Sequence, residues 1–292
     1  MKTERVLLAG ATGYLGRYIA AELVAQKYTT KLIVRNQRQA KFDASIVEIQ
    51  EAQVTQKNTL KGICKNIDVV ISTVGITRQK DGLTYMDVDY QANMNLLEEA
   101  IKEGVQKFIY ISAINGDQYR HLKIFEAKER FVDALKESGL EYVIVRPNGF
   151  FSDMKDFLKM AERGTVYLFG DGNYQLNPIH GADLAEACVQ AIGQKKQELI
   201  IGGPDVMTQN ELAELALKAW SSKSKIVHLP DWIRKAIIVG MRWFTSSKTY
   251  GPIEFFLTAM AADNVAPIYG THRLVDFFNE MVQKSKIKND NR

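Results

Sequence analysis

The chain predicts an α/β protein: a doubly wound, Rossmann-type parallel sheet with a smaller C-terminal substrate lobe. Three observations carry this expectation. Short apolar runs alternate with helical patterns from residue 5 to residue 147. Three glycines stand three residues apart in "GATGYLG", at the first strand-to-helix junction. After Pro147 the texture changes, and Gly, Asn and aromatic residues become more frequent. Alternation of this kind argues for βα units that share one parallel sheet, with right-handed connections.

Each element follows from its pattern. "RVLLAG" is an apolar run closed by Gly, so a buried strand, and "YLGRYIAAELVAQ" has helical spacing. "TKLIVR" and "SIVEIQEAQV" read as the second and third strands, and "NTLKGICKN" as a helix. "DVVISTVG" is the fourth strand. "VDYQANMNLLEEAIKEG" is a long helix that stops at Gly104. "KFIYISA", the helix "KIFEAKERFVDALKESG" and "EYVIVRP" complete six strands, the last closed by Pro147. Beyond lie a helix at "ADLAEACVQAIG", a strand at "ELIIGG" and a helix opened by Thr208 and Glu211 at capping-box spacing. The rest, to about residue 280, reads as helical and aromatic. The expected organisation is a core over 1–148, a mixed segment over 149–285 that completes the sheet and forms the lobe, and a polar tail over 286–292.

Composition bounds the function. The chain has 292 residues, is 46% hydrophobic and 25% charged, and carries a net charge of +4. These values are ordinary for a globular protein with a sizeable core. No basic stripe with interleaved aromatics is present, so no nucleic-acid partner is expected. Cys64 and Cys188 stand in apolar surroundings and read as buried thiols. No Cys/His spacing points to a metal. The first residues lack the order of a signal peptide, and no run approaches the roughly 18 apolar residues of a membrane span, so a cytoplasmic protein is expected. The nearest run, "WIRKAIIVGMRWF", carries three basic residues. Together with "TSSKTYGPIEFF" it suits three roles: lining a pocket for a large apolar substrate, resting on a membrane surface, or ordinary core packing.

The glycine turn points to chemistry. Gly10 permits the tight turn, Gly13 lets the backbone approach a pyrophosphate, and Gly16 lets the helix pack close to the strand. The helix N-terminus offers free N–H groups to phosphate. At the end of the second strand an acid would hold the ribose 2′-OH of NAD. This chain has Arg35 there, with Arg38 and Lys41 behind it and no acid before Asp43. A guanidinium suits a 2′-phosphate, so the expected cofactor is NADP(H).

"GATGYLG", "DVVISTVG", "DYQANMNLLEEA", "FIYISA", "AKERFVDALKESGLEYVIVRP" and "NPIHGADLAEA" together resemble the short-chain dehydrogenase/reductase superfamily, more closely its atypical, NmrA-like branch. "GGPDVMTQNELAELA" and "YGTHRLVDFF" resemble the divinyl chlorophyllide 8-vinyl reductases of that branch. The resemblance implies that Gly10, Thr12, Gly13, Tyr14, Leu15 and Gly16 cradle the pyrophosphate and that Arg35 meets the 2′-phosphate. It implies that Thr73, Val74 and Gly75 lie beside the adenosine half, and Ser112 and Ala113 near the nicotinamide. Lys128 corresponds to the lysine that bonds the nicotinamide ribose. Pro147, Asn148, Gly149 and Phe150 correspond to the segment packed on the nicotinamide amide. Gln53 replaces the usual acid that bonds the adenine amine, and its amide oxygen still accepts that bond.

The usual catalytic set is incomplete. The superfamily's tyrosine stands four residues before the lysine, and here that position is Ile124. The usual serine falls near Ile114, with Ser112 two residues early. A literal Y-x-x-x-K, Tyr119 and Lys123, lies five residues early: either a loop shift lets Tyr119 serve, or it is a loop residue at the pocket mouth. His180 is either an acid or a structural loop residue, and Tyr85, Asp89 and Tyr90 are further proton sources. The expected function is an NADPH-dependent reductase acting on an apolar, conjugated small molecule. The alternative is an NADP(H)-sensing or scaffold protein without turnover. Peripheral membrane contact is compatible with either, and oligomeric state is open.

Overall fold

The computed structural model of the chain describes residues 4–37, 42–77, 79, 82–220 and 225–290. Arg38 and Lys41 lie outside these described residues. In chain order the elements are β1 (Arg5–Ala9), α1 (Tyr14–Ala25), β2 (Thr29–Val34), β3 (Glu48–Glu51), β4 (Val69–Ser72), α2 (Ala92–Lys102), β5 (Lys107–Ile111), α3 (Lys123–Glu137), β6 (Glu141–Pro147), α4 (Lys155–Glu162), β7 (Thr165–Phe169) and β8 (Gln175–Leu176). Then follow α5 (Gly181–Gln190), β9 (Glu198–Ile201), β10 (Met207–Thr208), α6 (Gln209–Trp220), β11 (Lys225–Leu229), α7 (Asp231–Phe244), α8 (Ser247–Ala259) and α9 (Leu274–Asp290).

Seven strands form one sheet in the order β3-β2-β1-β4-β5-β6-β9. The chain order reverses between β1 and β4, the switch point at which open α/β sheets bind ligands. Register is set by burial: Val6, Leu7, Leu8 and Ala9 on β1 are fully buried and pair in parallel with residues of β2 and β4. Strands covered on both faces need such continuous apolar runs. Behind the sheet, Phe108, Tyr110 and Phe131 form an aromatic core between β5 and α3, with Tyr110 and Phe131 rings 4.6 Å apart. Cys64 and Cys188 are free and buried, and burial pushes the Cys64 thiol up to about 12.

The chain divides into two compact units. The first comprises Met1–Arg146 and Leu184–Leu199, the second Pro147–Asp183 and Ile200–Arg292. The second has its own core, in which Phe151, Phe157, Leu212, Ala216 and Phe278 are buried. It also has a parallel pair, β7 with β11, that the sequence pattern did not suggest. The capping box at α6 is reciprocal: the Thr208 N–H donates to Glu211 Oε2 at 2.7 Å, and the Glu211 N–H to Thr208 Oγ1 at 3.2 Å.

Several expectations are corrected. The helix expected over 58–66 is a four-residue 3₁₀ turn, Lys57–Leu60, followed by further turns. The helix expected over 88–104 opens as a π-helix, Met86–Gln91, before becoming α2. The helix α9 continues through Asp290, into the stretch expected to be a polar tail. Core packing does not describe α7, which has no buried residue. Among the described residues no helix is long and apolar enough to cross a membrane.

Candidate cofactor site

The glycine turn is built from backbone. Gly10 has φ +85°, a left-handed conformation that side chains disfavour, and a Cβ there would collide with the Thr73 hydroxyl. Thr73 occupies that space because its Oγ1 donates toward the carbonyls of Ala9 at 3.1 Å and Gly10 at 3.2 Å. The loop after β4 is thereby tied to the turn after β1. A Cβ on Gly16 would run into the Gly10 carbonyl and the Ala11 backbone, so the close approach of α1 requires glycine. Gly13 is the N-cap of α1, and no side chain caps the helix or places an acid in its first turn. A helix N-terminus without a side-chain cap or an acid in its first turn fits a pyrophosphate.

The neighbouring residues divide by exposure. Thr12 and Gly13 are exposed, whereas Leu15 is buried in the core and offers the turn only its backbone. Tyr14 packs edge-on against Tyr18 at 5.4 Å. Arg17, which sequence reasoning passed over, is exposed, and its Nε donates to the Thr12 carbonyl at 3.0 Å. It adds a guanidinium at the rim of the turn. Arg35 follows β2 directly, is exposed, and carries no ion pair among the described residues. Glu51, at the end of the adjacent β3, accepts the Gln37 N–H at 3.0 Å. Gln53 is half-buried, and its backbone is tied to the Thr59 hydroxyl at 3.0 and 2.9 Å. A separate cavity of about 350 Å³ lies between α1 and residues 42–47 and shares only Thr12 with the glycine turn, so it is not the phosphate cradle.

At the ends of β4 and β5 lies a charged group inside the apolar core. Lys128 Nζ stands 3.0 Å from Asp89 Oδ1; their side chains are 12% and 0% exposed. Opposite charge holds the pair, while Asp89 Oδ2 accepts the Ile76 N–H at 3.2 Å. Burial raises the Asp89 pKa and Lys128 opposes that rise. Burial works against the Lys128 charge, but Tyr110 and Asp89 outweigh it and hold the ammonium above its ordinary value. The Tyr110 hydroxyl is buried and unpartnered among the described residues, and Lys128 Nζ lies 5.6 Å from the Tyr110 ring centre. Gly75 closes the group: a Cβ there would lie 2.6 Å from Asp89 Oδ1 and 3.0 Å from Lys128 Nζ. One ammonium has three donors, so pairing with Asp89 leaves some free for a hydroxyl.

Asp89 sits on the π-helix, and Asn93 fixes that segment. The buried Asn93 amide donates to the carbonyls of Val74, Val88 and Asp89, and its Oδ1 accepts the Ser72 hydroxyl at 2.6 Å. π-turns of this kind concentrate at functional sites. The sequence named Asp89 as a proton source. Its ion pair with Lys128, across 39 positions of chain, had no sequence signal.

The remaining catalytic candidates are otherwise engaged. The Ser112 hydroxyl donates to Glu129 Oε1 at 2.8 Å, and Arg146 holds both Glu129 oxygens at 2.7 and 2.8 Å. Arg146 also donates to the Ala113 carbonyl at 3.4 Å and reaches Glu198. Ile124 is buried on α3. Tyr119 precedes α3, its ring stacked at 6.3 Å on Phe125; Lys123 is exposed and paired with Glu126 at 2.8 Å. Tyr119 and Lys123 therefore do not share a helical face, because only Lys123 is in the helix. Tyr85 donates to the Thr77 carbonyl at 2.8 Å, burial raises its pKa, and Tyr90 packs against the core. Val74 is buried and accepts from Asn93.

In the second unit Asn148 is part of a polar clasp. Its amide donates to Asn177 Oδ1 at 2.7 Å and to the Asn264 carbonyl, and its Oδ1 accepts the Gly149 N–H at 2.7 Å. Pro147 ends β6, and Phe150 bridges to Ile179. His180 stacks on His272 at 4.3 Å, and His272 Nδ1 lies 2.7 Å from the buried Asp183 carboxylate. Burial and the neighbouring His272 lower the His180 pKa. The motifs "NPIHGAD" and "YGTHRL" thus meet in one ring stack.

A reversing parallel sheet, a glycine turn and an uncapped helix N-terminus define a Rossmann-type dinucleotide-binding protein. The chain belongs to the NAD(P)H-binding family, which matches residues 10–195. It is 26% identical over 250 residues to the photosystem II assembly factor Ycf39 of a Synechocystis species, covering 82% of this chain and 74% of that protein. It is also 26% identical over 325 residues to the chloroplastic divinyl chlorophyllide a 8-vinyl-reductase of Arabidopsis thaliana, covering 97% and 78%. The solved structure of AtPrR2 with NADP+ and (+)pinoresinol shares the fold, with a TM-score of 0.73 at 17% identity over 96% of this chain and 99% of that one.

Proposed function

We propose that the chain is an NADPH-dependent reductase acting on an apolar, conjugated small molecule. The observation that carries the reading is Lys128, a charged and nearly buried ammonium held by Asp89 under Gly75 at the strand ends. A buried charge costs several kcal/mol unless it is used or paired, and this one keeps donors to spare. Lys128 is assigned the nicotinamide-ribose hydroxyls, the opening N–H groups of α1 the pyrophosphate, and Arg35 with Arg17 the adenosine-side phosphates. Bound NADPH would supply the hydride. The vinyl reductases among the relatives support a conjugated acceptor, because hydride transfer to such a bond needs positioning more than an alcohol-directed acid.

The alternative, an NADP(H)-binding regulator without turnover, is supported by one observation: the Ser112 hydroxyl is engaged by Glu129 and position 124 is a buried isoleucine. The experiment follows NADPH oxidation at 340 nm with quinone, enone and tetrapyrrole acceptors, alongside NADPH and NADP+ dissociation constants. Turnover on any of these acceptors supports the reductase. No turnover, with affinities that differ sharply between the reduced and oxidised cofactor, overturns it in favour of the regulator.

A further inference from the structure

The hairpin of α7 and α8 presents apolar surface that the described residues do not cover. No residue of α7 is buried. Trp232 is 67% exposed, Val239 57%, Trp243 82% and Phe244 87%. The positions have a pattern. Trp232, Ala236, Val239 and Trp243 are spaced i, i+4, i+7 and i+11, so they form one stripe along the helix, with a tryptophan at each end. At 1.5 Å per residue that stripe is about 16 Å long. Phe244 extends it into the turn, and Phe256 and Ile253 of α8 are exposed as well.

The charges beside the stripe select its occupant. The hairpin has four basic residues, Arg234, Lys235, Arg242 and Lys248, against two acidic ones, Asp231 and Glu254. Glu254 is buried behind the face and bridged by Arg242, and Asp231 is paired with Arg234 and Lys235 at the far end. Lys235 and Arg242 lie one step around the helix from the tryptophan stripe. Both are ion-paired, but the hairpin keeps two more basic than acidic residues, and exposed tryptophans beside a net positive charge suit an interface where the indole sits at headgroup depth above anionic lipid.

We infer that the α7–α8 hairpin is a peripheral docking element for an anionic lipid surface, lying in the interface plane with Trp232, Val239, Trp243 and Phe244 inserted. The inference rests on exposure and charge in the second unit and is independent of the cofactor reading.

The test uses the full chain in sedimentation with vesicles of phosphatidylcholine alone and of equimolar phosphatidylcholine and phosphatidylglycerol, with tryptophan emission recorded in parallel. The expected result is binding to the anionic vesicles, a blue shift on binding, and weakening by salt. The double substitution Trp243→Ser/Phe244→Ser lowers the partition coefficient by about tenfold or more, as the loss of two buried aromatics requires, without changing NADPH affinity or the melting curve. Trp232→Ser, at the other end of the stripe, gives a smaller drop in the same assay. Failure of the unaltered chain to sediment with anionic vesicles overturns the inference. So does equal binding by the double variant. A concentration-dependent dimer that vesicles leave intact and the double variant abolishes also overturns it, in favour of a second copy on this face.

Discussion

The Asp89–Lys128 pair separates what the buried charge does for folding from what it does for binding. Removing one member strands the other in the core. Asp89→Leu leaves an unpaired ammonium, and Lys128→Met an unpaired carboxylate. Breaking a buried pair costs about 3–5 kcal/mol. At roughly 2–4 °C per kcal/mol, the first unit's melting midpoint falls by about 6–20 °C. The Lys128→Met cost shrinks in acid. Burial already raises the Asp89 pKa, so that contribution to stability is present at low pH and is lost as pH rises and the stranded carboxylate ionises. The double variant Asp89→Leu/Lys128→Met removes both charges and recovers stability to within about 1 kcal/mol of the unaltered chain. Affinity does not recover. If Lys128 holds the nicotinamide ribose, loss of a charge-assisted hydrogen bond worth about 1.5–3 kcal/mol weakens NADPH binding by about 10- to 150-fold in both Lys128 variants. Thermal melts and NADPH fluorescence titrations on the four proteins complete the cycle. Wild-type affinity in the stable double variant would refute the role given to Lys128. Additive melting losses would refute the pairing.

Three further outcomes follow from the geometry. Arg35→Asp weakens NADPH binding by about 10- to 150-fold and leaves NADH unchanged, because only one dinucleotide has the 2′-phosphate; an equal loss for both contradicts the assignment. Ser112→Ala lowers stability by about 1–2 kcal/mol by loosening Glu129, and leaves the rate of NADPH oxidation unchanged on any acceptor that is turned over; a rate loss of about 100-fold would make Ser112 catalytic. Acidification below the ordinary imidazole value of 6.5 destabilises the second unit, because its fold favours neutral His180: the contribution is present above 6.5 and is lost as pH falls through the lowered value. His180→Phe keeps a ring against His272 and flattens this dependence in melts recorded across that range; an unchanged slope places the titration elsewhere.

The parts of the molecule that were legible act through local geometry. The glycine turn is read from spacing because phosphate binding uses backbone, and a backbone this tight excludes side chains at Gly10 and Gly16. Strands β1, β2, β4, β5 and β6 are read from apolar runs because both faces of the sheet are covered there, whereas the edge strand β3 is exposed and charged. Legibility ends where an element depends on distant partners. The pair β7–β11 is half-exposed and lacks a clean alternation, and it forms between segments 60 positions apart. The π-helix has a helical pattern, so periodicity merges it with α2. Lys128 could be placed by its register to the next strand, whereas Asp89, Tyr110 and Gly75 join it only through folding. Ser112 reads as a free hydroxyl at a strand end until Glu129 and Arg146 are brought beside it. On α7 the amphipathic pattern resembles an ordinary packed helix, and only the exposure of every turn distinguishes it.

The π-helix has a consequence for how this chain tolerates change. It is pinned at both ends: upstream the Tyr85 hydroxyl is fastened to Thr77, and downstream Asn93 is fastened to Ser72 and Val74. Between these clamps the wider turn acts as a vernier that sets the rotational phase of Asp89. Substituting a residue there changes one contact. Deleting one lets the segment close to a regular α-helix of about 3.6 residues per turn, which moves Asp89 relative to the two clamps. The stretch from Met86 to Gln91 is therefore governed by its length as well as by its composition, and a single-residue deletion there shifts the lysine's partner without substituting either member of the pair.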